Sequence, residues 1–105
     1  MNRGKYRWPD NEERQAWVRI VGSAIEYLLN DPEAEEWDAT NFDISPYLLD
    51  NCVEANGWAC EGSGFEREDL WLYYSHADYP DRRMCIYSDG YTYRLTLSIN
   101  YKVED

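Results

Sequence analysis

Residues Asp89–Val103 read DGYTYRLTLSINYKV, and the fold turns on them. From Tyr91 onward the odd positions are apolar through Tyr93, Leu95, Leu97, Ile99, Tyr101 and Val103, while the even positions, Thr92 to Glu104, are polar. A period of two marks a strand with one face on a core and the other toward water. Asp89-Gly90 just ahead is a two-residue hairpin signal, so the run Arg83–Tyr87 (RMCIY) folds back as its antiparallel partner. In that register Ile86 faces Tyr93 and Met84 faces Leu95 on the inner side, and Cys85, Tyr87 and Arg94 turn outward. A second hairpin through HADYPD (76–81) brings in Leu70–Ser75, placing Leu72 and Tyr74 inside and Trp71 and Tyr73 outside.

Upstream the period changes. After WPDN, Glu12 to Leu29 repeats apolar residues at three- and four-residue spacing (Trp17, Ile20, Val21, Ala24, Tyr27, Leu28), which predicts a helix capped by Asp10 or Asn11. Asp31-Pro32 ends it and starts a short exposed helical turn or loop that carries Glu33, Glu35, Glu36 and Asp38. Ser45-Pro46 opens a second helix that closes at Asn56-Gly57, with Leu48, Leu49, Cys52 and Val53 inward. CEGSGFERED (60–69) reads as a loop. The expected fold is therefore α+β: two main helices (about 12–29 and 46–56) packed on one face of a three-stranded antiparallel sheet (about 69–76, 82–88 and 91–103). Residues 1–105 form one domain, with 1–9 a candidate flexible segment whose Tyr6 and Trp8 can fold back over the sheet.

Composition bounds the function. The chain has 105 residues, 44% of them hydrophobic, with ten tyrosines, five tryptophans and a net charge of −11. That is too apolar for an acidic disordered tail. No apolar run approaches the roughly 20 residues of a membrane span, and no hydrophobic segment follows the basic start MNRGKYRWPD. A cytoplasmic location is expected. Cys52, Cys60 and Cys85 form no C-x-x-C pair and are read as reduced and mostly buried.

The charge is segregated along the chain. Between Arg19 and Arg67 there is no Lys or Arg but eleven acids, so this section alone carries the whole net charge. Its densest part is Asn30–Asp43, NDPEAEEWDATNFD, where Asp31, Glu33, Glu35, Glu36, Asp38 and Asp43 stand with the rings of Trp37 and Phe42. A surface kept for solubility alone usually mixes both signs. A face of one sign suits a basic partner.

Catalytic patterns are missing. There is no G-x-S-x-G, P-loop or H-E-x-x-H, and the sixth position counted from Asp31 is Glu36, where a calcium loop needs glycine. The single histidine, His76, is set on the opposite side of the sheet from Cys85 by the expected register. Neither an enzyme nor a cofactor nor a metal site is expected.

The expectation is a protein that acts by binding. Carboxylates of the acidic stretch mimic a phosphate row and occupy a basic, nucleic-acid-binding surface of a partner protein, with aromatic side chains holding the contact. The partner-binding residues are Asp31, Glu33, Glu35, Glu36, Trp37, Asp38 and Asp43. In its short, acidic, aromatic character the chain resembles phage-encoded inhibitors such as anti-CRISPR and anti-restriction proteins, a likeness of composition that carries no motif. An immunity protein against a basic nuclease toxin fits the same physics. The rival is an adaptor or assembly subunit, or a homodimer, using the outer sheet face at Trp71, Tyr73, Tyr87 and Arg94, with Arg94 stacked over the rings. Direct nucleic-acid binding is not expected, because the phosphate-binding cations are too few.

Overall fold

The computed structural model describes residues 10–90 and 94–101. The expected fold-back segment 1–9 and the positions Tyr91, Thr92, Tyr93 and Val103 of the alternating run lie outside the described residues. In chain order the elements are α1 (Asn11–Asn30), β1 (Glu36–Asp38), α2 (Pro46–Ala55), β2 (Ala59–Glu66), β3 (Asp69–Ser75), β4 (Arg82–Asp89) and β5 (Arg94–Tyr101). The α+β class stands. The sheet, however, has five strands and not three, all neighbours antiparallel in the order β1-β5-β4-β3-β2.

Both additional strands lie at edges, and each escapes the pattern that revealed the others. β2 was expected as a loop because its residues ACEGSGFE show no apolar alternation; nearly all are exposed, so neither face needs apolar side chains. Backbone hydrogen bonds to β3 hold it, with a register shift between Cys60 and Gly62 that makes Glu61 a bulge. A charged bulge on an edge strand discourages pairing with a further chain. β1 is three residues long, Glu-Trp-Asp, and was expected as part of a helical turn. The free edge of β5 recruits it: Glu36, Trp37 and Asp38 pair with Ser98, Leu97 and Thr96.

The helices follow their end signals. Asp10 accepts a hydrogen bond from the Glu13 amide at 2.9 Å, and Ser45 accepts one from the Leu48 amide at 3.1 Å. These are side-chain caps for amides that the first turn cannot satisfy. Gly57, at φ 96°, takes the left-handed position that follows α2. The apolar stripe of α1 is rotated from the one expected: Val21, Ala24, Ile25 and Leu28 are buried, while Ile20 and Tyr27 are about half exposed. Leu48, Leu49, Cys52 and Val53 of α2 face inward as expected. Both helices pack on one face of the sheet, around Tyr74, Met84, Ile86, Leu95, Leu97 and Ile99. From the buried Tyr74 the hydroxyl donates to Asp50 Oδ1, on half-buried Asp50, at 2.6 Å. Burial first, and then the Asp50 carboxylate, push the Tyr74 phenol far above its ordinary pKa.

The β4–β5 hairpin is longer than Asp89-Gly90 implies. Asp89 pairs with Arg94, and Ile86 faces Leu97 and Met84 faces Ile99 instead of Tyr93 and Leu95. The error is an even number of residues. Side-chain direction repeats every two, so the faces assigned to the paired, described residues survive it.

In the β2–β3 hairpin Glu66 pairs with Asp69, and Arg67 between them sits at φ 59°, a conformation that glycine adopts without strain. Arg67→Gly is expected to stabilise the fold by about 0.5–1 kcal/mol, read as a rise in the denaturation midpoint. A fall in the midpoint would show that the Arg67 side chain contributes contacts outweighing the strain. Among the described residues no helix is long and apolar enough to cross a membrane.

Candidate functional site

The acidic connection between α1 and α2 is built from turns and one short strand. Asp31 follows the last turn of α1; its amide donates to the Tyr27 carbonyl at 3.0 Å, and its Oδ1 accepts from the Glu33 amide at 2.9 Å. This turn, with Pro32 inside it, swings the chain back toward the edge of the sheet. Pairing with β5 then fixes the direction of each side chain in β1. Glu36 and Asp38 share the outer face, two strand positions or about 6.6 Å apart along the chain. Trp37 takes the opposite, helix-covered face and packs against the core.

The six carboxylates therefore do not form the helical row that was expected. Three are engaged within the chain: Asp31 closes its turn, Glu36 Oε2 receives Arg94 Nη2 at 3.0 Å, and Asp38 Oδ1 accepts from the Thr40 amide at 2.9 Å. Thr40 holds the Asp38 carboxyl below the ordinary carboxylate range. Its folded-state pKa is thus depressed, so this interaction stabilises the fold above the unfolded pKa and is lost as pH falls through the folded value. The other three, Glu33, Glu35 and Asp43, are exposed and make no hydrogen bond or ion pair among the described residues.

The exposed aromatic residue of this stretch is Phe42, not Trp37. Phe42 is 45% exposed and sits on two tryptophans, with centroids 5.3 Å from Trp37 and 6.2 Å, edge-on, from Trp17. Trp37 is a support under the displayed ring. Phe42 lies in the quoted stretch but was not among the expected partner-binding residues; the polar-apolar-polar pattern of Glu36-Trp37-Asp38 is the signal that Trp37 turns inward.

On the outer sheet face the structure brings Trp71, Tyr73, Cys85, Tyr87 and Arg94 together as the alternation predicts. The Trp71 and Tyr87 rings lie 5.3 Å apart at 46°. Partial burial first, then the charges of Asp69 and Asp89, raise the Tyr87 phenol. The guanidinium stacked on a ring is that of Arg83, 5.7 Å from the Tyr73 centroid, whereas Arg94 binds Glu36. Trp71, Tyr73 and Tyr87 are each half-buried, and among the described residues the most exposed large apolar side chains are Phe65 and Tyr47.

The cysteines are free, but only Cys52 is buried; Cys85 is intermediate and Cys60 exposed, which corrects the reading of them as mostly buried. Burial pushes the Cys52 thiol up to about 11 and raises that of Cys85. His76 does not approach Cys85. It closes an aromatic cluster with Trp58 and Tyr79 at centroid distances of 5.1 and 5.3 Å. Among the described residues no three His, Cys, Asp or Glu side chains are grouped to hold a metal ion.

No protein-family model, curated protein or solved structure matches the chain.

Proposed function

We propose that this chain is an acidic inhibitor that binds a partner protein on a basic, nucleic-acid-binding surface, in the manner of phage anti-CRISPR and anti-restriction proteins. The observation that carries this reading is that Glu33, Glu35 and Asp43 of one connection are exposed and without ion-pair or hydrogen-bond partners for their carboxylates among the described residues, with the ring of Phe42 exposed in the same stretch. Carboxylates left unneutralised in a folded chain repel one another, and a cationic surface relieves that repulsion. Phe42, braced by Trp37 and Trp17, supplies a rigid apolar anchor of the kind that dominates interface energetics. Long-range attraction speeds encounter, and the ring slows release. The partner is a basic nucleic-acid-binding protein or nuclease in the cytoplasm, and the inhibitor acts by occupation, without a reaction or cofactor of its own. Immunity against a basic nuclease toxin would use the same surface.

The adaptor reading, through the sheet face around Trp71 and Tyr87, makes the opposite demand on salt. Raising the salt from physiological strength to 1 M shortens the Debye length from about 8 Å to about 3 Å. Capture of the partner by the tagged chain is expected to weaken about 100-fold or more over that interval, the response of a contact with several screened charges. Capture that is unchanged or strengthened at 1 M salt would move the interface to the apolar sheet face.

A further inference from the structure

A cleft of about 490 Å³ opens between α1 and the connection that joins β3 to β4. Its volume lies within the range of ordinary ligand pockets. The aromatic wall is Trp58, His76 and Tyr79. Trp58 and Tyr79 stack nearly parallel, 5° between planes and 5.8 Å between centroids, and Tyr79 is 38% exposed. His76 is locked in place, its Nδ1 accepting from the Asp78 amide at 3.0 Å.

The approach of α2 to α1 here depends on Gly22. A Cβ on that residue would stand 2.7 Å from Asn56 Oδ1, and Asn56 cannot yield freely because its amide donates to the carbonyls of Val18 and Cys52 at 3.1 and 2.8 Å. Gly22 thus holds the helices close, and the cleft is a built feature of the fold.

Three charged side chains line it: Glu26, Asp78 and Arg19. None of the three makes an ion pair among the described residues. Glu26 and Arg19 lie on one face of α1, seven residues or about 10 Å apart. One further group lacks a partner. Trp58 is only 2% exposed, and no acceptor for its indole N–H is found among the described residues. A buried donor of this kind is costly until an acceptor reaches it.

Two carboxylates against the one guanidinium of Arg19, about 10 Å along α1 from Glu26, leave the cleft net negative, and with an aromatic face and a buried donor this fits a cation that is attached to a carbonyl. We infer that the cleft receives an arginine side chain of an extended peptide segment, which rests on the reading above that the partner is a basic protein. The planar guanidinium stacks on Tyr79 and is held by the carboxylates of Glu26 and Asp78, and the peptide carbonyl is the acceptor for Trp58. A lysine matches this less well, because its compact ammonium lacks the plane that stacks and the fork that binds two carboxylates.

The test is a titration of the isotope-labelled full chain with the capped tripeptide Gly-Arg-Gly, followed through the Trp58 indole and the amides of Glu26 and Tyr79. Capped Gly-Lys-Gly and Gly-norleucine-Gly run in parallel. Saturable shifts confined to the cleft are expected with the arginine peptide, about three- to tenfold weaker binding with lysine, and none with norleucine. Glu26→Gln and Tyr79→Ala, both exposed positions, should each weaken the arginine peptide about threefold or more while the remaining spectrum stays folded. No saturable shift, or equal shifts with lysine or norleucine, overturns the assignment. The outcome is separable from that for the acidic connection: lysines at Glu33, Glu35 and Asp43 should abolish partner capture and leave tripeptide binding unchanged.

Discussion

The variant Glu33→Lys, Glu35→Lys, Asp43→Lys is expected to lose partner affinity by about 100-fold or more at physiological salt, roughly 2.7 kcal/mol, with the fold intact. Each side chain is exposed and makes no hydrogen bond or ion pair among the described residues, so no contact among them depends on its charge. Reversal places three ammonium groups where the partner presents cations, and like charges brought together across an interface repel strongly. Glu36 is left out on purpose. It already binds Arg94, and a lysine there would disturb the junction of β1 with β5 instead of reporting on the partner. The control is the same change of charge elsewhere: Glu54→Lys, Glu66→Lys and Asp81→Lys, all exposed. Either variant moves the net charge from −11 by six units to −5. Equal losses from the two would mean that total charge, and not the connection between the helices, attracts the partner. Binding within about threefold of the parent for the first variant would refute the assignment of these residues.

The second large effect is on stability. Leu97→Ala should destabilise the fold by about 3–5 kcal/mol, the cost of removing a buried leucine and leaving a cavity. Leu97 is fully buried on β5, with Ile86 of β4 on one side and Trp37 of β1 on the other. In a domain of this size each kcal/mol lowers the thermal midpoint by about 4–8 °C, so a fall of more than about 10 °C is expected. Phe65→Ser on the exposed edge strand β2 should change stability by less than about 0.5 kcal/mol. A Leu97→Ala midpoint close to that of Phe65→Ser would show that β1, β5 and β4 do not enclose this residue.

What the sequence revealed depended on how much of each element is buried. Residues of β3, β4 and β5 have one face on the core, so their apolar alternation is selected, and the sides taken by Met84, Cys85, Ile86 and Tyr87 could be read correctly. The length of the β4–β5 connection could not, because a Gly at residue 90 is compatible with more than one loop, and the face pattern is blind to a shift of four. β2 left almost no trace because an edge strand exposed on both faces is held by its backbone, which any residue except proline supplies. Helix ends were legible at Asp10, Ser45 and Gly57, where specific caps satisfy specific amides and carbonyls.

The candidate site was legible in composition and misread in shape. Asp31-Pro32 suggested a helical turn or loop, but pairing with β5 drew the chain out, set Glu36 and Asp38 on the outer face and turned Trp37 inward. Glu33, Glu35, Asp43 and the ring of Phe42 remain exposed. The cleft by Trp58 was not accessible to sequence reasoning, since its walls come from α1, the end of α2 and the β3–β4 connection, segments far apart in the chain. Only packing brings Glu26, Trp58 and Tyr79 together.

The most direct measurement is displacement. The tagged chain is loaded with partner from host lysate at physiological salt, the bound protein is identified by mass spectrometry, and duplex DNA or RNA is then titrated in. The expected result is that the partner is a nucleic-acid-binding protein and that nucleic acid releases it competitively, with the apparent affinity of the chain falling in proportion to the competitor. Retention of the partner under saturating nucleic acid would contradict the claim that the acidic connection occupies a phosphate-binding surface.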